Sequence, residues 1–267
     1  MAITTLDGLI AASKREVPLY KTTARTTVAG GWFSMFDVAG NPGAGTLAGS
    51  STTTGTVPTD ATAGYPGIPF TANRTHLSKL IASNTVVSQI RLFDRLWVGG
   101  AYAFNANTSG NTPTSFASRV SYNGGAADYR GLELWVETVT AATGNQTWNV
   151  TYTDQDGNAG ATTGAVGIGA APTVGRCWQL PLAAGDSGLQ GVTGVVGGTG
   201  TAGTANIMVL RPLLDVYIGV ANQMQVFNYT DLGLPEIFND SSLYALVMAP
   251  SGTSSGLPYL NFQMANG

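Results

Sequence analysis

The chain has 267 residues, a net charge of −3 and only 10% charged residues, against about 25% in an ordinary soluble domain. With 43% hydrophobic residues it is too apolar for a disordered chain. Its longest basic run, Lys14-Arg15, gives neither nucleic acid nor an anionic membrane an electrostatic footprint.

The opening residues lack the basic-then-apolar pattern of a signal peptide, and no run of about 18 apolar residues occurs that would suit a transmembrane helix. The expectation is a protein made in a host cytoplasm. Thr5 is placed to cap a short helix running to about Arg15, with Leu6, Leu9 and Ile10 at helical spacing and Pro18 preventing continuation. A helix this short is marginal alone, so these three side chains are candidates for docking, on the chain's own domain or on a neighbouring subunit. Residues 20–37 read as extended and then aromatic, and Trp32, Phe33 and Phe36 are further interface candidates. Residues 40–75 form a long Gly/Thr/Pro/Ala stretch. Loops of this length are usually functional or disordered, and this one is expected to lie across a neighbour.

From residue 77 the chain reads as strands. Leu77–Ser83 and Thr85–Phe93 come first. Arg130–Thr140 follows, with Leu132, Leu134, Val136 and Thr138 on one face and Glu133, Trp135, Glu137 and Val139 on the other, the pattern of a half-buried strand. Gln146–Thr153 puts Trp148, Val150 and Tyr152 on one face, and Trp135 and Trp148 are expected to meet across strands. Asp154-Gln-Asp-Gly-Asn158 reads as a tight turn with Thr162–Ala170 returning beyond it. Cys177–Ala183 is another strand, with Cys177, the one cysteine, expected to be buried and inert. A lone cysteine excludes an intrachain disulfide. Residues 185–206 are Gly-rich. Ile207–Arg211 and Leu214–Val220 are separated by Pro212, which suits a bulge or an edge. Gln225–Tyr229, Leu243–Ala249 and Leu257–Phe262 close the chain. About ten strands and one short helix imply an all-β fold, a β-sandwich or jelly roll. The preferred division is an N-terminal helix, arm and loop over 1–75 and a β-sandwich domain over 76–267, or one continuous domain.

The chemical motifs are weak. Gly185-Asp-Ser-Gly188 resembles the nucleophile segment of trypsin-like serine proteases, but Leu189 replaces the expected glycine and His76, the sole histidine, lacks the family's surrounding residues; a turn is expected. The 154–158 segment offers oxygen side chains at alternate positions, yet it lacks the glycine and glutamate of an EF-hand. One His and one Cys make no zinc site, and the Gly-rich runs lack a Walker ending. Glu133 with Glu137, or Asp154 with Asp156, are the pairs to weigh for glycoside cleavage. No catalytic residue, cofactor or metal is assigned.

The segments Ile3-Thr-Thr-Leu-Asp-Gly-Leu-Ile-Ala-Ala12, Gly30-Gly-Trp-Phe-Ser-Met-Phe-Asp37, Asn41-Pro-Gly-Ala-Gly45, Arg91-Leu-Phe-Asp-Arg-Leu-Trp97 and Leu132-Glu-Leu-Trp135 together resemble virion structural proteins of tailed bacteriophages. The resemblance implies a multicopy, non-enzymatic virion component. No long spine helix of the common major capsid fold is found, so the resemblance points to an accessory capsid cement or decoration protein. Its partners would be itself, as a dimer or trimer, and the major capsid protein. The alternative is a receptor- or carbohydrate-binding module of a tail or fibre, in which exposed aromatics stack on sugars.

Overall fold

The computed structural model describes residues 5–13, 16–69, 75–169, 172–198 and 202–266; for Leu6, Leu9 and Ile10 it describes the backbone alone. The first elements are α1 (Leu6–Ala12), β1 (Val17–Lys21), β2 (Trp32–Ser34), β3 (Gly40–Asn41), β4 (Thr75–Ser83), β5 (Ser88–Ala103) and β6 (Asn107–Ser109). The middle of the chain supplies β7 (Glu133–Thr140), β8 (Thr147–Asp154), β9 (Ala159–Thr162), β10 (Val166–Gly167), β11 (Arg176–Leu180) and β12 (Leu189–Gly198). The last are β13 (Thr204–Ile218), β14 (Gln225–Asn228), α2 (Tyr229–Leu232), β15 (Glu236–Ile237), β16 (Leu243–Met248) and β17 (Tyr259–Asn266). The chain is therefore all-β, as its composition and turn chemistry predict. The short N-terminal helix is present, and the Thr5 hydroxyl caps it by accepting from the Gly8 N–H at 3.0 Å.

Two compact units divide the chain, and they interleave along it rather than parting at residue 75. The first comprises the chain up to Gly45, Thr59–Phe93 and Leu213 onward; the second comprises Thr46–Pro58 and Asp94–Pro212. The reason is strand length. β5 has 16 residues and β13 has 15, so each begins in one unit and ends in the other.

The first unit carries a six-stranded antiparallel sheet in the order β14-β4-β17-β1-β3, with β15 also paired to β4. Leu80, Phe262 and Val17 lie side by side across β4, β17 and β1. With Leu19, Leu77, Leu260 and Met264 they form the buried face, packed in one core with Met35, Ile90, Val216 and Val247. The period-two burial of β4 and β17 is what one-sided packing requires.

The second unit is a sandwich. One sheet runs β10-β8-β12-β6, with β9 also on β8. The other contains β11, β7 and the Thr204–Leu210 part of β13. Trp148, Val150 and Tyr152 of β8 meet Leu134 and Val136 of β7 and Ile207 and Val209 of β13 in a single core. The inward face read for residues 146–153 is thus the observed one, and the 154–158 turn joins β8 to its hairpin partner β9. β7, however, is buried on both faces: Trp135 and Glu137 are covered as fully as Leu134 and Val136. Trp135 and Trp148 do not pair, because their strands belong to different sheets. The Gly-rich 185–206 segment contains strand β12, paired to both β8 and β6. Its glycines admit close backbone approach. A Cβ on Gly197 would sit 1.9 Å from the Phe104 carbonyl oxygen, whereas one on Gly167 would meet nothing within 4 Å.

Gly197→Ala is accordingly expected to lower stability by about 1–3 kcal/mol through overpacking. Gly167→Ala should be neutral or slightly stabilising, because it restricts the unfolded chain. Urea unfolding of both variants checks the difference.

Candidate functional site

The sequence-derived interface residues fall in different environments. Leu6, Leu9 and Ile10 lie on α1, and their side chains are outside the described residues. Trp32 is half-buried, with the Arg91 guanidinium 5.9 Å from its ring centre. Phe33 is fully buried, and Phe36 is buried against Tyr65 and Tyr244 at ring separations of 4.7 and 6.1 Å. Phe33 and Phe36 are therefore buried within their own chain, Phe36 against aromatic rings of its own unit. An aromatic beside glycines reads equally as anchor or as core, and only packing separates the two.

The acids of the candidate motifs are each committed to hydrogen-bond or ionic partners. Asp154 Oδ1 accepts from the backbone N–H groups of Asp156 and Asn158, at 2.9 and 2.8 Å, and Asn158 Nδ2 donates to Oδ2 at 2.8 Å. The Asn158 side chain and these N–H groups hold the Asp154 carboxyl below the usual carboxylate range. This is a side-chain-closed turn. Asp186 accepts from the Tyr152 hydroxyl at 2.6 Å, and the Ser187 N–H donates to Gln155 Oε1 at 3.0 Å. His76 lies on β4 of the first unit, its Nδ1 3.1 Å from the Leu234 carbonyl oxygen; Ser187 belongs to the second unit. Glu133 accepts from the Trp135 indole N–H at 2.7 Å. Cys177 is buried, as expected.

The feature that sequence reading missed is a buried ionic network in the second unit. Asp94 accepts from Arg119 through Nε at 3.2 Å and through a terminal nitrogen, and from Arg211 at 3.0 Å. Arg95 donates to Glu137 at 3.3 Å, and Asn206 Nδ2 donates to the same Glu137 oxygen at 3.0 Å. All six side chains are buried. Arg211 also stands over the Tyr122 ring, 5.6 Å from its centre.

These side chains hold the segment 46–58. Asn206 Nδ2 donates to the Leu47 carbonyl at 2.6 Å, and its Oδ1 accepts from the Gly49 N–H at 2.9 Å. Arg119 donates to the Pro58 carbonyl at 3.0 Å, and the Trp97 indole donates to that of Thr54 at 3.0 Å. A backbone bridge joins Thr56 to Val98. Gly55 is required where the strap crosses Trp97: it has φ +60°, and a Cβ there would lie 2.2 Å from the indole ring. This part of the 40–75 loop thus lies on its own chain instead of crossing a neighbour. The signal available in the sequence was the Asp94-Arg95 pair between the apolar Leu92-Phe93 and Leu96-Trp97 of β5, since charges there need partners.

In the first unit, Lys21 is a buried cation. It is 5% exposed, and its ammonium donates to the carbonyls of Val38, at 2.9 Å, and Pro42, at 3.3 Å. Burial lowers its pKa to about 8, against an opposing pull from Asp37. Asp37 itself pairs with Arg25.

Comparison with known proteins is sparse. No family model matches the chain, and no curated protein does. Among solved structures, the VP2 subviral particle of infectious bursal disease virus aligns over 95% of this chain and 80% of that one, at 10% identity and a TM-score of 0.20. The Gt strain of the same virus aligns over 95% and 82%, at 10% identity and a TM-score of 0.16. Infectious bursal virus-derived T=1 particles align over 96% and 75%, at 10% identity and a TM-score of 0.15. These neighbours come from virus particles, but scores this low carry no argument about this chain.

Removing one partner of a buried ion pair typically costs about 3–5 kcal/mol. Asp94→Ala, which leaves two buried guanidiniums without their carboxylate, is expected to lose stability in that range by urea unfolding. Asn206→Leu should release the strap, seen as faster hydrogen exchange at the Gly49 N–H and protease nicking between Thr46 and Pro58. For Lys21 the folded pKa lies below the unfolded one. The unfolded chain then binds more protons between about pH 8 and 10.5, and stability rises with pH across that window. Lys21→Met should abolish this rise, and the Lys21 ¹³Cε resonance should titrate near pH 8.

Proposed function

We propose that the chain is a non-enzymatic structural protein of a virion, present in many copies. In this reading it binds and stabilises the capsid shell as a cement or decoration protein, and its partners are copies of itself and the major capsid protein. One observation carries the reading: the surface is poorer in charge than the composition already implies. Of 27 ionisable Lys, Arg, Asp and Glu side chains, Lys21, Asp94, Arg95, Arg119, Glu137, Asp154 and Arg211 are buried. Few remain to keep copies apart in solution, and a weakly charged surface favours association. A shell suits such a surface, because many identical weak contacts add through avidity.

Quantitative mass spectrometry of purified particles tests the role. Copy number comparable to that of the major capsid protein is the expected result, with easier capsid rupture in particles lacking the chain. A few copies per particle, with glycan or host-cell binding by the isolated protein, would favour a tail or fibre module. Absence from particles ends the reading.

A further inference from the structure

Among the described residues, ten large hydrophobic side chains are exposed, and six of them fall between Tyr217 and Leu234. Most of that stretch forms one border of the six-stranded sheet. The Asn222 N–H donates to the Asn84 carbonyl at 2.7 Å. β14 then pairs with Lys79–Ala82, α2 packs on β4, the Leu77 N–H donates to Pro235, and β15 pairs with Thr75 and His76. Residues 222–237 thus follow β4 along its whole length. Within the described residues β14 pairs with β4 alone.

Natural sheet edges are usually blunted by short strands, proline, bulges or lysine. The opposite edge of the same sheet obeys this rule: β3 is two residues long and runs straight into Pro42. β14 does not. Its sequence is Gln-Val-Phe-Asn, and from Val220 to Pro235 the only charged residue is Asp231. Met224, Val226 and Tyr229 are 60%, 51% and 59% exposed.

We propose that this edge pairs with the same edge of a second copy, strand β14 antiparallel to its two-fold mate and centred on Val226. An antiparallel strand pair is two-fold symmetric, so one segment can serve both sides. Side-chain parity restricts the register. Val226 faces outward and Phe227 packs against the core, so the two cannot stand opposite each other. Centring on Val226 sets it against its own mate and Met224 against Asn228 on the outer face, and Gln225 against Phe227 on the inner. The arrangement also suits the charge distribution. Each Asp231 lies beyond the end of β14, so the two carboxylates are carried to opposite ends, roughly 20 Å apart and well beyond the ~8 Å screening length of physiological salt. The exposed parts of Val220, Met224, Val226, Tyr229 and Leu234 amount to at most about 500 Å² per copy, so a two-fold pair reaches the roughly 1,000 Å² floor of a specific interface only when all of them are covered. The polar neighbours Gln223, Gln225 and Asn228 add to that area.

Analytical ultracentrifugation of the full chain tests the proposal. The wild type is expected to sediment at twice its 27.4 kDa chain mass. Val226→Lys should raise the dimer dissociation constant about tenfold or more without changing circular dichroism or melting. Val196→Lys, at an exposed position of the other unit, should remain dimeric. Val226→Cys should form a reducible interchain disulfide on mild oxidation, because directly opposed positions bring their Cβ atoms to about 4.5–5.5 Å, within a small strand shift of the roughly 3.5–4.5 Å a disulfide needs. A monomeric or trimeric wild type, a Val226→Lys dimer of unchanged affinity, or a Val226→Cys chain that does not cross-link would overturn it. If Val226→Lys fails to fold, the cysteine variant decides. The virion role fails separately: a dimer absent from particles removes that role and leaves the edge pairing intact, and an abundant virion protein that is monomeric does the reverse.

Discussion

Asp94 and Glu137 are the fully buried carboxylates among the described residues of the second unit, and much of that unit's construction answers to them. A carboxylate withdrawn from water must be paired and hydrogen-bonded. Here three guanidiniums and one amide do this. Arg119 and Asn206 then have donors left over, and these meet the carbonyls of Pro58 and Leu47. The desolvation penalty offsets most of the Coulomb attraction in such a network, so it adds little net stability over an apolar core. Its consequence is positional: it selects which backbone groups of the strap lie over β5 and β13. Lys21 acts similarly on a smaller scale in the first unit, tying the turn that leads from Asp37 to Pro42.

The same constraint shapes the exterior. A chain with few ionised groups that places several of them inside has fewer left for its surface. The uncharged edge along β14 is one expression of this, and the glycines of β12 are another. There the side chain is removed altogether so that backbones approach closely, and a segment that composition marks as loop becomes a paired strand. Surface chemistry and fold therefore draw on one small set of charged residues, and a substitution in the network acts on both.

Much of the fold was legible in particular residues. The alternation Trp148, Val150, Tyr152 marked an inward face, Asp154 to Asn158 marked a turn, and Thr5 marked a helix start. Each of these signals is local and reports a backbone preference directly. The misreadings share one cause. Glu137 looked like the outer face of a half-exposed strand, because period-two patterning cannot show that a second layer covers the polar side. Phe33 and Phe36 looked like anchors for a partner, because an aromatic side chain suits a core and an interface equally. The 40–75 stretch looked like a loop lying across a neighbour, because hydrogen bonds from Asn206, more than 150 residues away, leave no trace in local composition.

The sequence alone determined the all-β class, the weakly charged character and the absence of disulfide bonding within the chain. These follow from composition and from short-range spacing, which need no knowledge of what lies across a sheet. Tertiary structure alone decided the interleaving of two units, the pairing of Asp94 and Glu137 with their arginines, and the placement of the 222–237 segment at a sheet border. Those outcomes depend on contacts between residues far apart in the chain. Burial converts such contacts from neutral neighbours into requirements, because a charge or a backbone amide removed from water must find its partner there.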